Sequence, residues 1–386
     1  MIMKICVATG TRAEYGLLKP LIDQINVEPD WQLQLLVTGA HLSPEFGLTY
    51  LQIEKDGLKI DAKVEMLLSS DTAEGIVKSM GLGMIGYADA FKNLQPDLLI
   101  LLGDRYEMLA IASAALIFKI PIAHLHGGEI TEGAYDDAIR HTVTKMSHLH
   151  FTSTEAYRDR VIQLGEKPGH VFNVGAIGLD NIANLKLLTK LELEKDLGVE
   201  FLKYNYQVTF HPATLANVSA AKQFQELLDA IDQQQESFFI FTKANADTDG
   251  RVINHMIDQY VAQHPKKAVA FTSLGTLKFL SVLKVCNAIV GNSSSGIIEA
   301  PSLGIATINI GERQKGRIQA KSVINCEASA NQIGRAFERS KNEEFKKTVG
   351  LVVNPYGNGF VGQQIVKAIK TVNLKDLVIK TFNNLT

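Results

Sequence analysis

Short apolar runs alternate with amphipathic stretches along most of the chain, the pattern of a parallel sheet covered by helices. In the first half the runs predict strands at Lys4–Thr9, Leu33–Thr38, Leu98–Leu102, Ile122–Leu125, His150–Thr152 and Val171–Asn173. Helices are predicted between them at Tyr15–Ile25, Met84–Leu94, Met108–Phe118, Asp136–Met146 and Ala156–Leu164. A polar stretch, Leu185–Tyr204, is expected to form a helix and a connection. The alternation then restarts, with strands at Gln207–Phe210, Phe238–Phe241, Ala268–Thr272, Ala288–Val290 and Ala306–Ile308. Their helices are expected at Ser219–Gln233, Arg251–Gln263, Thr276–Val285, Ile297–Ser302, Ala330–Arg339 and, after the turn Asn354-Pro-Tyr-Gly, Asn358–Lys370.

Two doubly wound halves follow from this pattern, and 386 residues are too many for one core. We place a first Rossmann-like domain over 1–184 and a second over 185–365, with 366–386 packing back on the first. Ligands in such sheets bind beyond the carboxyl ends of the strands, which makes a cleft between the halves the default site.

Composition narrows the function. A net charge of −2 gives no electrostatic case for nucleic acid or an anionic membrane, so any anion must be held by local Arg, His and backbone groups. No apolar run approaches the length of about 20 residues that spans a bilayer. The first residues are expected to form a strand and not a signal peptide. Cys6, Cys286 and Cys326 lack metal-ligand spacing, and their odd number argues against a disulfide framework. A reducing cytoplasm fits.

The candidate chemistry lies at strand ends. Residues 124–141 hold His124, His126, Glu129, Glu132, Asp136, Asp137, Arg140 and His141 around the pair Gly127-Gly128. So many ionisable groups directly after an apolar strand point to proton transfer. Asp136 and Arg140 share a predicted helix face, as do Asp137 and His141, so helix-stabilising ion pairing is the alternative reading for at least one of these pairs. Leu101-Leu-Gly-Asp104-Arg105 delivers an acid and a cation at a strand end; Asp104 fits a general base or a cap for the next helix. Thr9-Gly-Thr-Arg12 ends the first strand and opens a helix, so it fits an anion site or an ordinary turn. His211, in Phe-His-Pro, ends the first strand of the second half. Gly291-Asn-Ser293-Ser294-Ser-Gly is strand, small polar loop and helix, the parts of a phosphate cradle. Glu299, one turn on, could accept from ribose hydroxyls. Gly311–Arg317 adds the cations Arg313, Lys315 and Arg317. Neither a Walker sequence nor a GxGxxG fingerprint is present.

Six motifs occur in order: Thr-Arg-Ala-Glu-Tyr, Gly-Asp-Arg-Tyr-Glu, His-Leu-His-Gly-Gly-Glu, Tyr-Asp-Asp-Ala-Ile-Arg-His, Phe-His-Pro and Gly-Asn-Ser-Ser-Ser-Gly. Over roughly residues 3–370 the chain resembles the hydrolysing UDP-N-acetylglucosamine 2-epimerases of bacterial sialic acid biosynthesis. The resemblance implies a GT-B fold and homo-oligomers, dimers or tetramers. It implies conversion of UDP-N-acetylglucosamine and water to N-acetylmannosamine and UDP, without metal or nicotinamide. Anti elimination of UDP leaves a 2-acetamidoglucal, and syn addition of water resets C2. The same motifs accommodate UDP-N,N'-diacetylbacillosamine, which would feed legionaminic acid. A GT-B glycosyltransferase and a non-catalytic nucleotide-sugar sensor are the competing classes.

By resemblance, Asp104 and Asp136 are the acid and base candidates, with Arg140 beside them. Arg12, Arg105, His211, Asn245, Leu274, Ser293, Ser294, Glu299 and Arg313 would hold UDP, and Gly311–Arg317 would close over it. Two departures stand out. Many relatives carry Glu where this chain has His126, so either His126 or Glu129 takes that role. Leu17 stands where some relatives have Lys.

Overall fold

The computed structural model describes residues 2–68, 70, 72–132, 134–212, 219–244 and 250–385. By contacts the chain divides into two units, residues 1–129, 136–183 and 356–386 in one, 130–135 and 184–355 in the other.

The first unit is built on seven parallel strands: β1 (Met3–Thr9), β2 (Trp31–Thr38), β3 (Ala62–Val64), β4 (Leu98–Leu102), β5 (Ile122–Leu125), β6 (Leu149–Thr152) and β7 (Val171–Asn173). Their order is β3-β2-β1-β4-β5-β6-β7, so the winding reverses between β1 and β4. Strands covered on both faces need continuous apolar runs, and β4, Leu-Leu-Ile-Leu-Leu, is buried throughout. One face packs Ile5, Val7, Leu98 and Ile100 against the Arg12–Val27 helix; the other packs Cys6, Ala8, Leu99 and Leu101 against the Ala73–Leu94 and Tyr106–Ile117 helices.

The chain returns to this unit through the Val361–Thr371 helix, which packs on Arg12–Val27. Asp180 fixes the return. It is fully buried, and its two carboxylate oxygens accept the amides of Val361 (2.7 Å) and Gly362 (2.8 Å), groups that helix geometry leaves unpaired.

The second unit repeats the plan with six parallel strands: β8 (Tyr204–Thr209), β9 (Ser237–Thr242), β10 (Ala268–Phe271), β11 (Ala288–Gly291), β12 (Ala306–Ile310) and β13 (Val323–Cys326). Their order is β10-β9-β8-β11-β12-β13, reversing between β8 and β11. An aromatic cluster of Tyr206, Phe239 and Phe337 fills one face. The two doubly wound sheets make the fold GT-B-like.

Among the elements that escape the sequence pattern are β3, β13, the Tyr50–Lys55, Leu179–Asn184 and Glu343–Gly350 helices and the first half of Ala73–Leu94. The strands are too short to show a period. The half-helix is hidden by Gly75, Gly81 and Gly83, which weaken helix propensity. Close packing explains a fourth glycine in the same helix: a Cβ on Gly86 would lie 2.5 Å from Val64 Cγ1 of β3.

Candidate active site

In the first unit the site residues follow the carboxyl ends of β1, β4, β5 and β6, around the point where the winding reverses. Asp104 leaves β4 after Gly103, and its Oδ2 accepts a hydrogen bond from Arg140 Nη2. Arg140 is 1% exposed. Its other nitrogen donates to Glu129 O (2.8 Å) and Asp137 Oδ1 (3.3 Å). A buried guanidinium requires this dense pairing. Asp136, half-buried, opens the helix that carries Arg140. On the same helix His141 Nε2 lies 3.5 Å from Asp137 Oδ2.

Two histidines of the segment each bridge two partners. His124 Nε2 donates to Gly103 O (2.7 Å), which leaves Nδ1 to accept from Thr144 Oγ1 (3.0 Å). Burial pushes its pKa down to about 3. It thus ties the end of β4 to the helix that bears Arg140. His126 Nε2 accepts the Ile177 amide (3.1 Å), so the ring proton sits on Nδ1, 2.9 Å from Glu129 Oε1. Ser153 Oγ donates to the same carboxylate oxygen at 2.7 Å. His126 has a φ of +66°, a conformation uncommon outside glycine and a form of strain met at functional sites. Its side chain is 11% exposed against 2% for Glu129. Arg160 reaches the Gly128 carbonyl and fixes the glycine pair.

The Thr9–Arg12 turn is tied within its own segment. Its amides face a carboxylate of the same chain: Glu14 Oε2 accepts from Gly10 (2.7 Å) and Thr11 (3.1 Å), and Thr11 Oγ1 accepts from the Glu14 amide. This is a capping box, legible as Thr-x-x-Glu. Burial pushes the Glu14 carboxyl up to about 7 against the pull of Arg105 and the two amides. Arg105 donates to both oxygens of the fully buried Glu107 (3.2 and 3.3 Å), and Glu14 Oε1 is 4.0 Å away. Arg12 starts the helix half-buried, which lowers its pKa. Leu17 packs on the apolar core.

The second unit organises its strand ends around one amide. Asn292 follows β11, buried, and clasps the His211 backbone: Oδ1 accepts its amide and Nδ2 donates to its carbonyl, both at 2.7 Å. The Asn292 carbonyl accepts from Arg313 Nη1 (3.0 Å) and Gln314 Nε2 (2.8 Å). One residue therefore gathers the ends of β8, β11 and β12. Gly291 makes this possible. Its φ is +130°, and a Cβ there would lie 2.0 Å from Thr209 O.

Ser293 caps the short Ser294–Ile298 helix, its Oγ accepting from Ser295 N at 3.3 Å. Glu299 is buried at the end of that helix. The Leu274 side chain is buried in an apolar cluster with Phe238, Ile240 and Val282, which leaves its backbone as the part that could meet a ligand. In the loop after β12, Lys315 O accepts the Glu132 amide at 3.4 Å. Asn245 lies outside the described residues.

The structure thus brings Asp104, Arg140, Asp137 and the Glu129 backbone together in one unit, and His211, Ser293 and Arg313 together in the other. Sequence reasoning missed Ser153, the Ile177 amide, Glu107 and Asn292 as partners. Asn292 stood in view inside the Gly-Asn-Ser motif, but nothing local marks its reach to residue 211.

Comparison with known proteins assigns the scaffold. Residues 23–370 match the family described as UDP-N-acetylglucosamine 2-epimerase. The chain is 45% identical over 383 residues to the GDP/UDP-N,N'-diacetylbacillosamine 2-epimerase (hydrolyzing) of Campylobacter jejuni, covering 99% of each chain. It is 41% identical over 376 residues to the polysialic acid biosynthesis protein P7 of Escherichia coli, covering 97% of this chain and 94% of that one. The fold matches the UDP-GlcNAc 2-epimerase of Methanocaldococcus jannaschii in complex with UDP-GlcNAc and UDP. The TM-score is 0.78 at 20% identity, over 96% of this chain and 100% of the other. With its strand-end carboxylates and its matched length, the chain belongs to the UDP-N-acetylglucosamine 2-epimerase family.

Proposed function

We propose that this chain hydrolyses a nucleotide-activated N,N'-diacetylbacillosamine, inverting C2 and releasing the nucleotide diphosphate. The reaction class is carried by one observation: Asp104 at the end of β4, held by the buried Arg140 of the helix that also presents Asp136. The substrate is supported by the relative at 45% identity, whose name gives that sugar and both GDP and UDP.

The chemistry asks for a base at C2 and stabilisation of a leaving diphosphate. A carboxylate takes the C2 proton, the C2–H electrons form the C1=C2 bond, and the C1–O bond breaks with its electrons leaving on the nucleotide. Water then supplies the C1 hydroxyl, and a proton returns to C2 on the other face. Asp104 and Asp136 are the carboxylates for these transfers. Charge-assisted bonding to Arg140 holds Asp104 in one orientation, which such transfers require. His126 is the group at the position relatives give to Glu; the nearly inaccessible Glu129 orients it through Nδ1–H, with Ser153 holding Glu129 in turn. In the second unit Arg313, Ser293, Ser294 and the His211 backbone region supply cation, hydroxyls and dipoles for the diphosphate, where developing charge needs them. Glu299 and the Leu274 backbone serve the nucleoside.

A second reading keeps the chemistry on UDP-N-acetylglucosamine, supported by the family's own description. Incubation with UDP- and GDP-diacetylbacillosamine and with UDP-N-acetylglucosamine, followed by NMR of the free sugar, decides. Release of a 2,4-diacetamido-2,4,6-trideoxymannose is the expected result. Release of N-acetylmannosamine alone moves the assignment to the second reading, and release of neither sugar overturns both.

A further inference from the structure

The residues after the last long helix make contacts that this chemistry does not use. Lys380 Nζ donates to the carbonyls of Lys145 (2.8 Å) and Ser147, where the Asp136–Met146 helix ends, and lies 2.8 Å from Glu166 Oε2. Glu166 is buried and also takes Lys145 Nζ (2.7 Å) and His150 Nε2 (3.0 Å). Burial alone would raise its pKa; the bonds from His150, Lys145 and Lys380 outweigh that and hold it near 2. Two residues on, the Phe382 ring covers Gly165, with Lys145 Nζ 4.9 Å from the ring centre, and Asn383 N donates to Gly165 O at 2.9 Å. The apolar neighbours of Lys380, Val378 and Ile379, are exposed. Leu377 is buried in the apolar core at the start of this stretch, and beyond it Lys380 is the anchor to the helix end.

The anchored helix is the one that presents Asp136 in its first turn, Arg140 to Asp104 and Thr144 to His124. A helix is stiff along its axis and rises 1.5 Å per residue, so Arg140 sits about 9 Å from the held end. A shift at that end reaches Arg140 and Asp136 nearly undamped. An ammonium on the terminal carbonyls also complements the negative pole of the helix.

We propose that Lys380 is a positioning residue for the reaction: the segment Leu377–Asn383 is a strap that fixes the Asp136–Met146 helix against Glu166 and so sets the placement of Asp136 and Arg140. This inference rests on the reading of Asp104, Asp136 and Arg140 as the proton-transfer side. The test uses the full chain with Lys380→Met, Lys380→Arg and Phe382→Ala, following nucleotide release and amide exchange of residues 136–146. Lys380→Met is expected to lower kcat about tenfold or more with KM within about twofold, since small misplacements of catalytic groups are costly. Amide exchange in that helix should rise about tenfold, and Lys380→Arg should restore most of both. Phe382→Ala should give the same pattern more weakly if Lys380→Met does not fold. Unchanged exchange, or raised exchange with unchanged kcat, overturns the strap. A fall in kcat that Lys380→Arg does not rescue, matched by a general loss of stability, overturns it as well. Asp104→Asn in the same assay judges the underlying reading by itself: full turnover there removes that reading while the exchange data still score the strap.

Discussion

The two units share one architecture and treat polarity at their strand ends in opposite ways. The first buries ionisable groups: Glu14, Glu107, His124, Glu129, Arg140, His150 and Glu166 are all below one tenth exposed. The second arranges its strand ends mostly with amides and hydroxyls, around Asn292, Gln314 and the Thr209–Thr242 hydroxyl pair at 2.6 Å, with Arg313 on the Asn292 carbonyl and Glu299 buried beside them. Buried charge is costly and shifts protonation, which suits a site that moves protons. Neutral donors on a rigid backbone, joined by a guanidinium that stays charged, suit a fixed anion without gaining or losing protons themselves. This difference is what the proposed function uses, with proton transfer assigned to one copy of the fold and anion recognition to the other.

Three measurements probe that contrast. The largest effect is expected from Asp104→Asn, which keeps the shape and removes the acid–base function. The kcat for nucleotide release should fall by about 10²–10⁴ while UDP affinity stays within a few-fold. A matching loss of UDP affinity would break the division of labour. Next, Asn292→Ala leaves the His211 amide and carbonyl without their clasp. It should weaken UDP binding by roughly ten- to a hundredfold and destabilise the second unit by about 2 kcal/mol, measured by calorimetry and urea unfolding. An unchanged UDP affinity would remove Asn292 from the cradle.

The smallest effect is on pH. In the first unit burial holds His41 and His148 near 4 and His124 near 3, and it lowers His150 against the pull of Glu166. A group depressed in the fold gives stability that is complete above its unfolded pKa, about 6.5, and lost as pH falls toward the folded value. Glu166 extends the loss from about 4.5 down to about 2. The histidines of the second unit, His211, His255 and His264, are half-buried or exposed. Trp31, the single tryptophan, sits in β2 of the first unit and reports its unfolding. Its urea midpoint should fall between pH 7 and 5.5, His124 alone contributing about 1 kcal/mol. Amide exchange in the second unit should change less. Equal losses in both units would mean that buried imidazoles do not set the acid limit.

Much of the site was legible because parallel strands announce their own ends. Leu98–Leu102 followed by Gly-Asp104, and Ile122–Leu125 followed by His126, place chemistry at carboxyl ends through local pattern alone. The partners were not legible. Arg140 lies four residues from Asp136, yet it pairs with Asp104, 36 residues away, because β4 and β5 are neighbours and His124 ties the helix to Gly103. The turn after β1 is an exception, since the local Thr-x-x-Glu spacing already points to the Glu14 carboxylate that takes its amides.

The sequence by itself determined the two doubly wound sheets, the strand ends that hold the candidate residues and the family, since these rest on local periodicity and contiguous motifs. The tertiary structure decided which ring nitrogen of His124 and His126 carries the proton, that His126 and Glu129 are hydrogen-bonded as one pair, that Asn292 gathers three strand ends, and that Lys380 reaches Glu166. Those outcomes depend on hydrogen bonds between residues tens to hundreds of positions apart. A buried polar group takes whichever partner the packing brings within about 3 Å, and no local pattern encodes that distance.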